Sequence, residues 1–320
     1  MRWIKLAIKL LVSAALLGGL VYWLDLKTLV AKLPVNAWPV VLACVGIYLL
    51  SQAVSALRWQ RLAAQLSLGQ PWPSFFSWYM LGMFYSLVLP GSIGGDAARV
   101  WWLARATGAP KRTALLTVLA ERGVGLMGLL WFTALFANLS PVNAAWPRWL
   151  VLGLAALAIT MMLGWLVLLT FRGRLLAIKT SDSESGKGMQ ALLCWLQDSA
   201  QLWGTPKLMA ETLFMAGLIY GFMGLIHVLL ATVLGLHLPL PALLSVFGTV
   251  SLISILPVSF NGLGVREGAY VALLGLLGVE PVTAGVFSLL WLATSTLTSL
   301  LGGVFWQAGL QPINGRVSAN

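Results

Sequence analysis

The chain has 320 residues, of which 59% are hydrophobic and only 9% charged, with a mean hydropathy of +0.90. Those values exclude an ordinary water-soluble domain and predict an all-α integral membrane protein. The formal net charge of +11 reads as membrane orientation and attraction to anionic lipid; no repeated basic–aromatic module accompanies it, so nucleic acid is not expected as a partner.

Arg2, Lys5 and Lys9 precede an apolar stretch that runs to Leu24, about 20 residues and so the length needed to span. No small-residue cleavage site follows before Asp25, which predicts an uncleaved first crossing and a cytoplasmic N-terminus. Pro34 and Pro39 mark the return into a second crossing, which ends at Arg58 and Arg61 on the cytoplasmic side. Residues 72–109 enter the membrane, break at 90–95 and come back to Arg105, Lys111 and Arg112, a broken hairpin with both feet inside. Its first limb as a helix over 74–89 would measure about 24 Å and nearly span. A third crossing over 113–137 carries Glu121 and Arg122, and a fourth over 149–171 returns to Arg172, Arg174 and Lys179. Residues 172–207 read as a cytoplasmic loop followed by an interfacial helix over 189–203, where apolar and polar groups alternate at helical spacing.

The fifth crossing is expected over 208–234, a second broken hairpin over 238–279 with its break at 257–264 and both feet outside, and a last crossing over 281–309 that leaves Arg316 inside. One polytopic domain, residues 1–320, thus has six full transmembrane helices plus two oppositely oriented re-entrant or broken hairpins, an inverted-repeat architecture. Of twenty Lys and Arg, Lys27, Lys32 and Arg148 fall outside and Arg99, Arg122 and Arg266 within apolar segments; the other fourteen lie on the cytoplasmic side. Cys44 and Cys194 have no paired spacing and read as packing residues. Trp72, Trp78, Trp101, Trp102, Trp146 and Trp149 lie near predicted helix ends and read as interfacial anchors, with no cofactor implied.

The two breaks share the frame L-P-x-S-x-x-G-x-x-x-R, as Leu89-Pro-Gly-Ser-Ile-Gly-Gly-Asp-Ala-Ala-Arg99 and Leu256-Pro-Val-Ser-Phe-Asn-Gly-Leu-Gly-Val-Arg266. Each follows a half-helix, stops it with Pro90 or Pro257, supplies glycines (Gly91, Gly94 and Gly95; Gly262 and Gly264), and opens a half-helix bearing an arginine. Loosened backbone survives in a bilayer only where protein or a wet cavity shields it. Matched breaks in two halves of a chain therefore point to a transport site.

A charge at the bilayer centre costs about 2.5–3.5 kcal/mol on insertion scales, so Arg99, Arg122 and Arg266 need partners or water. Asp96 and Arg99 share a helical face at i, i+3. Glu121–Arg122 and Arg266–Glu267 are adjacent in sequence, about 100° apart on a helix, so pairing between segments is expected in preference. Free N–H groups at the two half-helix starts beside arginines would form an anion site. Asp96, Glu121 and Glu267 fit a structural network equally well; Ser92, Ser259 and Asn261 are tip caps or ligand contacts, with capping the default. Glu121, Gly125 and Gly128 lie on one face and would admit a close neighbour, and His227 reads as a packing histidine.

Those same stretches, 89–99, 257–268 and Glu121-Arg-Gly-Val-Gly-Leu126, resemble the signature segments of the lysylphosphatidylglycerol synthase transmembrane-region family. The resemblance implies a flippase-type domain in the bacterial cytoplasmic (inner) membrane. Its substrate would be a phospholipid, glycolipid or polyprenyl-linked lipid, bound at Asp96, Arg99, Glu121, Arg122, Asn261, Arg266 and Glu267. A chain ending at Asn320 leaves no soluble aminoacyltransferase domain, so lysyl transfer is not expected, nor is any cofactor. Two alternatives remain: an accessory scaffold for a separate lipid synthase or glycosyltransferase, and an intramembrane lipid-phosphate enzyme, for which no nucleophile–base spacing is seen.

Overall fold

The computed structural model describes residues 26–34, 37–88, 93–140, 148–177, 187–256, 259 and 262–307, with single positions between 11 and 22. Eleven helices follow in order: α1 (Leu26–Ala31), α2 (Ala37–Gln65), α3 (Trp72–Val88), α4 (Ile93–Thr107), α5 (Lys111–Leu139), α6 (Arg148–Ala177), α7 (Lys187–Trp203), α8 (Pro206–Val233), α9 (Leu240–Ile255), α10 (Val265–Gly275) and α11 (Pro281–Gln307). Strands are absent among the described residues. Among the described residues, five helices are long and apolar enough to cross a membrane: α2, α5, α6, α8 and α11. The crossing expected before Asp25 falls mostly outside the described residues.

The remaining long segments are shorter, and length decides their role. At about 1.5 Å per residue, the 17 residues of α3 rise ~26 Å and the 11 of α10 only ~17 Å, against a hydrocarbon core of about 30 Å. They occur as consecutive packed pairs, α3 with α4 and α9 with α10. The first break is narrower than expected. Helix α4 already begins at Ile93, so Gly94 and Gly95 belong to its first turn and not to the break. Gly95 serves close approach instead, since a Cβ there would overlap the Gly82 carbonyl and the Ser86 hydroxyl of α3. After the second break α10 starts at Val265, and Gly262 and Gly264 adopt φ of 77° and 82°, which a Cβ would strain. Pro90, Gly91, Ser92, Pro257 and Asn261 lie outside the described residues. Helix α6 runs on to Ala177, past the expected start of the loop at 172.

The helices pack reciprocally. The first short limb, α3, lies on α11, and the second short limb, α9, lies on α5. Glycine permits both contacts: a Cβ at Gly302 of α11 would overlap the Met80 carbonyl of α3, and one at Gly248 of α9 would overlap Thr133 of α5. Helices α2 and α8 pack on each other between these pairs, while α6 is largely exposed. Gly128 of α5 admits α8 as expected, with the Ala216 Cβ 2.7 Å from where its own Cβ would stand.

Four apolar clusters form among the described residues, two of them large. One surrounds His227, Phe247, Tyr270, Phe287 and Trp291. There His227 donates from Nδ1 to the Met223 carbonyl at 2.7 Å and accepts at Nε2 from the Tyr270 hydroxyl at 2.6 Å, because a carbonyl partner can only accept. The other core lies beneath the first broken pair, with Trp59, Phe75 and Trp78 in edge-to-face contact and Trp102 beside them. Trp78 and Trp102 are thus core residues and not interfacial anchors: α4 folds back on α3 and α5, and both rings are buried in the shared core.

Candidate functional site

Helix α2 carries a polar stripe at helical spacing, Tyr48, Gln52, Ser55 and Arg58, through an otherwise apolar span. Arg58 stands seven residues before the end of its helix and Glu121 ten residues after the start of α5, about 10 and 15 Å from the ends that face the same side. Arg58 is 4% exposed and Glu121 1%. They therefore meet inside the bundle, and Arg58 is not one of the solvated cytoplasmic cations that its place near Arg61 implies. Its Nη2 donates to Glu121 Oε1 at 2.5 Å.

The same carboxylate accepts from Arg99 of α4, whose Nη2 lies 3.3 Å from Oε2, and from the Tyr79 hydroxyl of α3 at 3.5 Å from Oε1. Arg99 donates onward from Nη1 to Asp96 Oδ1 at 3.4 Å. Asp96 in turn accepts two bonds from Arg122, from Nε at 3.1 Å and Nη2 at 2.9 Å. The product is a chain of alternating charge, Arg58–Glu121–Arg99–Asp96–Arg122, that ties the first broken pair to two spanning helices. Glu121 pairs with Arg58 and Arg99 and not with its neighbour Arg122, as the 100° separation requires.

Aromatic rings complete the environment of Arg99. Its guanidinium carbon lies 4.2 Å from the Trp59 ring centre and 4.3 Å from that of Tyr79, a cation–π sandwich that desolvation strengthens. Trp59 is held by donation to Thr117 Oγ1 at 3.0 Å. Gly82 makes room for the stem, since a Cβ there would stand 3.1 Å from Arg99 Cδ. Even so, Nε and Nη1 of Arg58 and Nε of Arg99 are buried without a hydrogen-bond partner. Leaving such a donor unmade costs on the order of 1–3 kcal/mol each, more for a charged group.

These groups line a cavity of about 540 Å³, within the usual range for small-molecule sites. The charged chain, Gln52, Ser55 and Tyr79 line it together with the apolar side chains of Met223, Phe247 and Trp291. Of the residues singled out in the sequence, Asp96, Arg99, Glu121 and Arg122 come together here. Arg266 and Glu267 are not among the lining residues. They pair with each other, Arg266 Nη2 donating to Glu267 Oε1 at 2.8 Å, against the expectation that adjacent residues would not. The long arginine stem folds back at the first turn of α10, where Glu267 is fixed by accepting the Gly264 N–H at 2.6 Å. At that helix start the Gly264 N–H is thus taken by the chain's own carboxylate and not free for a ligand. Ser259 is buried with its hydroxyl unpartnered, so it caps nothing.

Fold and site define a polytopic helical membrane protein with a buried cationic cavity bounded by a broken helix pair. Residues 6–303 match the family model of the lysylphosphatidylglycerol synthase TM region, and the chain belongs to that family. No curated protein and no solved structure gives a match.

Proposed function

We propose that the protein is a lipid translocator that carries an anionic or polar-headed lipid between leaflets, with the phosphate against Arg58, Arg99 and Arg122 and the acyl chains left in hydrocarbon. The observation that carries this reading is the cavity in which two buried arginines keep three N–H donors without partners. Such donors are stabilised by an anion, and guanidinium matches phosphate geometry.

In this reading the two short pairs are oppositely oriented re-entrant hairpins, and the bundle has six crossings with both termini in the cytoplasm of a bacterial cell. Side-chain contacts support the orientation. Lys32, predicted outside, pairs with Glu280, which precedes α11 and follows the second pair. Gln201 of α7 donates to the Gln65 carbonyl at the end of α2 at 3.0 Å, which groups α2, α7 and the start of α8 on the side predicted cytoplasmic. Reciprocal packing of α3 on α11 and α9 on α5 supports an inverted repeat, in which alternate movement of the hairpins would expose the cavity to each leaflet. The protein performs no covalent chemistry on the lipid in this reading; a separate synthase would supply the substrate. Reconstituted protein should accelerate transbilayer movement of fluorescent phosphatidylglycerol in proteoliposomes, and Arg99→Ala should lower that rate. A folded Arg99→Ala protein with an unchanged rate refutes the proposal.

A further inference from the structure

We infer that the cavity selects a phosphodiester headgroup bearing a single negative charge over zwitterionic, cationic and doubly charged headgroups. The inference deepens the translocator reading and rests on the same site.

Charge counting comes first. With the carboxylates ionised in their guanidinium pairs, Arg58, Arg99 and Arg122 against Asp96 and Glu121 leave one net positive charge in the cavity lining. Histidine, lysine and further carboxylates are absent among the lining residues, so nothing else offsets that charge. A ligand with one negative charge neutralises the site; a zwitterion or a cationic headgroup leaves it charged or adds repulsion, and a dianion overshoots.

Donor geometry comes second. The partnerless N–H groups sit on two different arginines from α2 and α4. Both arginines line the cavity, and the two non-bridging oxygens of a phosphodiester share one charge that two guanidinium groups can divide. Glu121 and Asp96 already accept from two arginines each, and the network offers an incoming ammonium group no free carboxylate. A headgroup carrying an amine therefore brings a cation to a site already positive.

The mouth and the wall indicate where such a diester comes from. Arg122 and Ile255 line the cavity and remain exposed, with 54% of the Arg122 side chain and 58% of Ile255 accessible, so the cavity opens beside them. Phe247, Met223 and Trp291 in the cavity wall suit a glycerol backbone and its first methylenes.

The test measures binding by native mass spectrometry of the full-length protein, released from detergent with equimolar competing lipids. Phosphatidylglycerol should bind about tenfold or more tightly than phosphatidylcholine or lysyl-phosphatidylglycerol, as a mismatch of one desolvated charge implies. Water-soluble glycerophosphoglycerol separates the sources: competition shows that the diester alone is recognised, and failure to compete shows that the lipid is. Either result keeps the inference. Arg58→Gln, which sets the site to zero net charge, should abolish the preference. Glu121→Gln, which sets it to two, should shift preference to phosphatidic acid at a pH where its phosphomonoester is doubly ionised; Asp96→Asn makes the same change at a more exposed position if Glu121→Gln does not fold. Equal binding of phosphatidylglycerol and phosphatidylcholine by the wild type, or an order unchanged in all folded charge variants, overturns the inference. The translocator reading fails separately: a protein that shows the charge order but moves no lipid in proteoliposomes retains the site and loses the transport.

Discussion

Replacing Glu121 by alanine tests whether the buried charge chain is a mutual arrangement. In the wild type one carboxylate, 2% exposed, accepts from Arg58 and Arg99, which are themselves 5% and 3% exposed at the side chain. Deleting it strands Arg58 with no acceptor at all and leaves Arg99 only its 3.4 Å bond to Asp96. Removing one partner of a buried ion pair typically costs about 3–5 kcal/mol, because the remaining charge stays desolvated. Changing both Arg58 and Glu121 to methionine removes the stranded charge together with the acceptor, and Arg99 retains Asp96. The double variant should therefore be more stable than Glu121→Ala alone, with a net loss of roughly 1–2 kcal/mol or less. Reversible unfolding of the detergent-solubilised protein by sodium dodecyl sulfate, followed by tryptophan fluorescence, measures both. A loss below about 1 kcal/mol for Glu121→Ala would mean that water already reaches these groups, and the low-dielectric argument for the cavity would fall.

Two further outcomes follow from the packing and from an exposed pair. Gly302→Ala should destabilise by about 1–3 kcal/mol through overlap with the Met80 carbonyl, whereas Gly217→Ala, whose Cβ meets nothing within 4 Å, should be neutral or slightly stabilising in the same unfolding assay. The hydrogen bond from Lys32 holds the Glu280 carboxyl below its usual range. A lowered folded value means that the contribution is present above the unfolded carboxylate value, about 4.3, and is lost as pH falls through the folded one. Glu280→Gln should flatten the acid limb of the thermal stability profile below pH ~4.5; an unchanged limb contradicts the pairing.

The spanning helices could be read from the sequence because apolar length is a property of the chain alone, and α2, α5, α6, α8 and α11 all fall where it places them. Four members of the charged chain were readable for a related reason: Asp96, Arg99, Glu121 and Arg122 interrupt apolar segments where charge is costly. Arg58 was not, because it stands three residues from Arg61 near a helix end, where orientation rules assign cations to water. Its signal was the stripe from Tyr48 through Gln52 and Ser55, which points one face of α2 at the cavity. The Arg266–Glu267 pair escaped because helical angles describe where side chains leave the backbone and not where a long arginine stem folds back to. Trp78 and Trp102 escaped because burial of α3 depends on α4 folding over it, a tertiary event that no local pattern records.

The central claim is that buried arginines in this cavity carry a lipid headgroup across the bilayer. Transbilayer movement of fluorescent phosphatidylglycerol, read by dithionite quenching in proteoliposomes of matched protein content, tests it most directly. Movement should be accelerated by the wild type and fall to the protein-free rate with folded Arg99→Ala. Wild-type vesicles no faster than empty ones, or a folded Arg99→Ala protein as fast as the wild type, would contradict it.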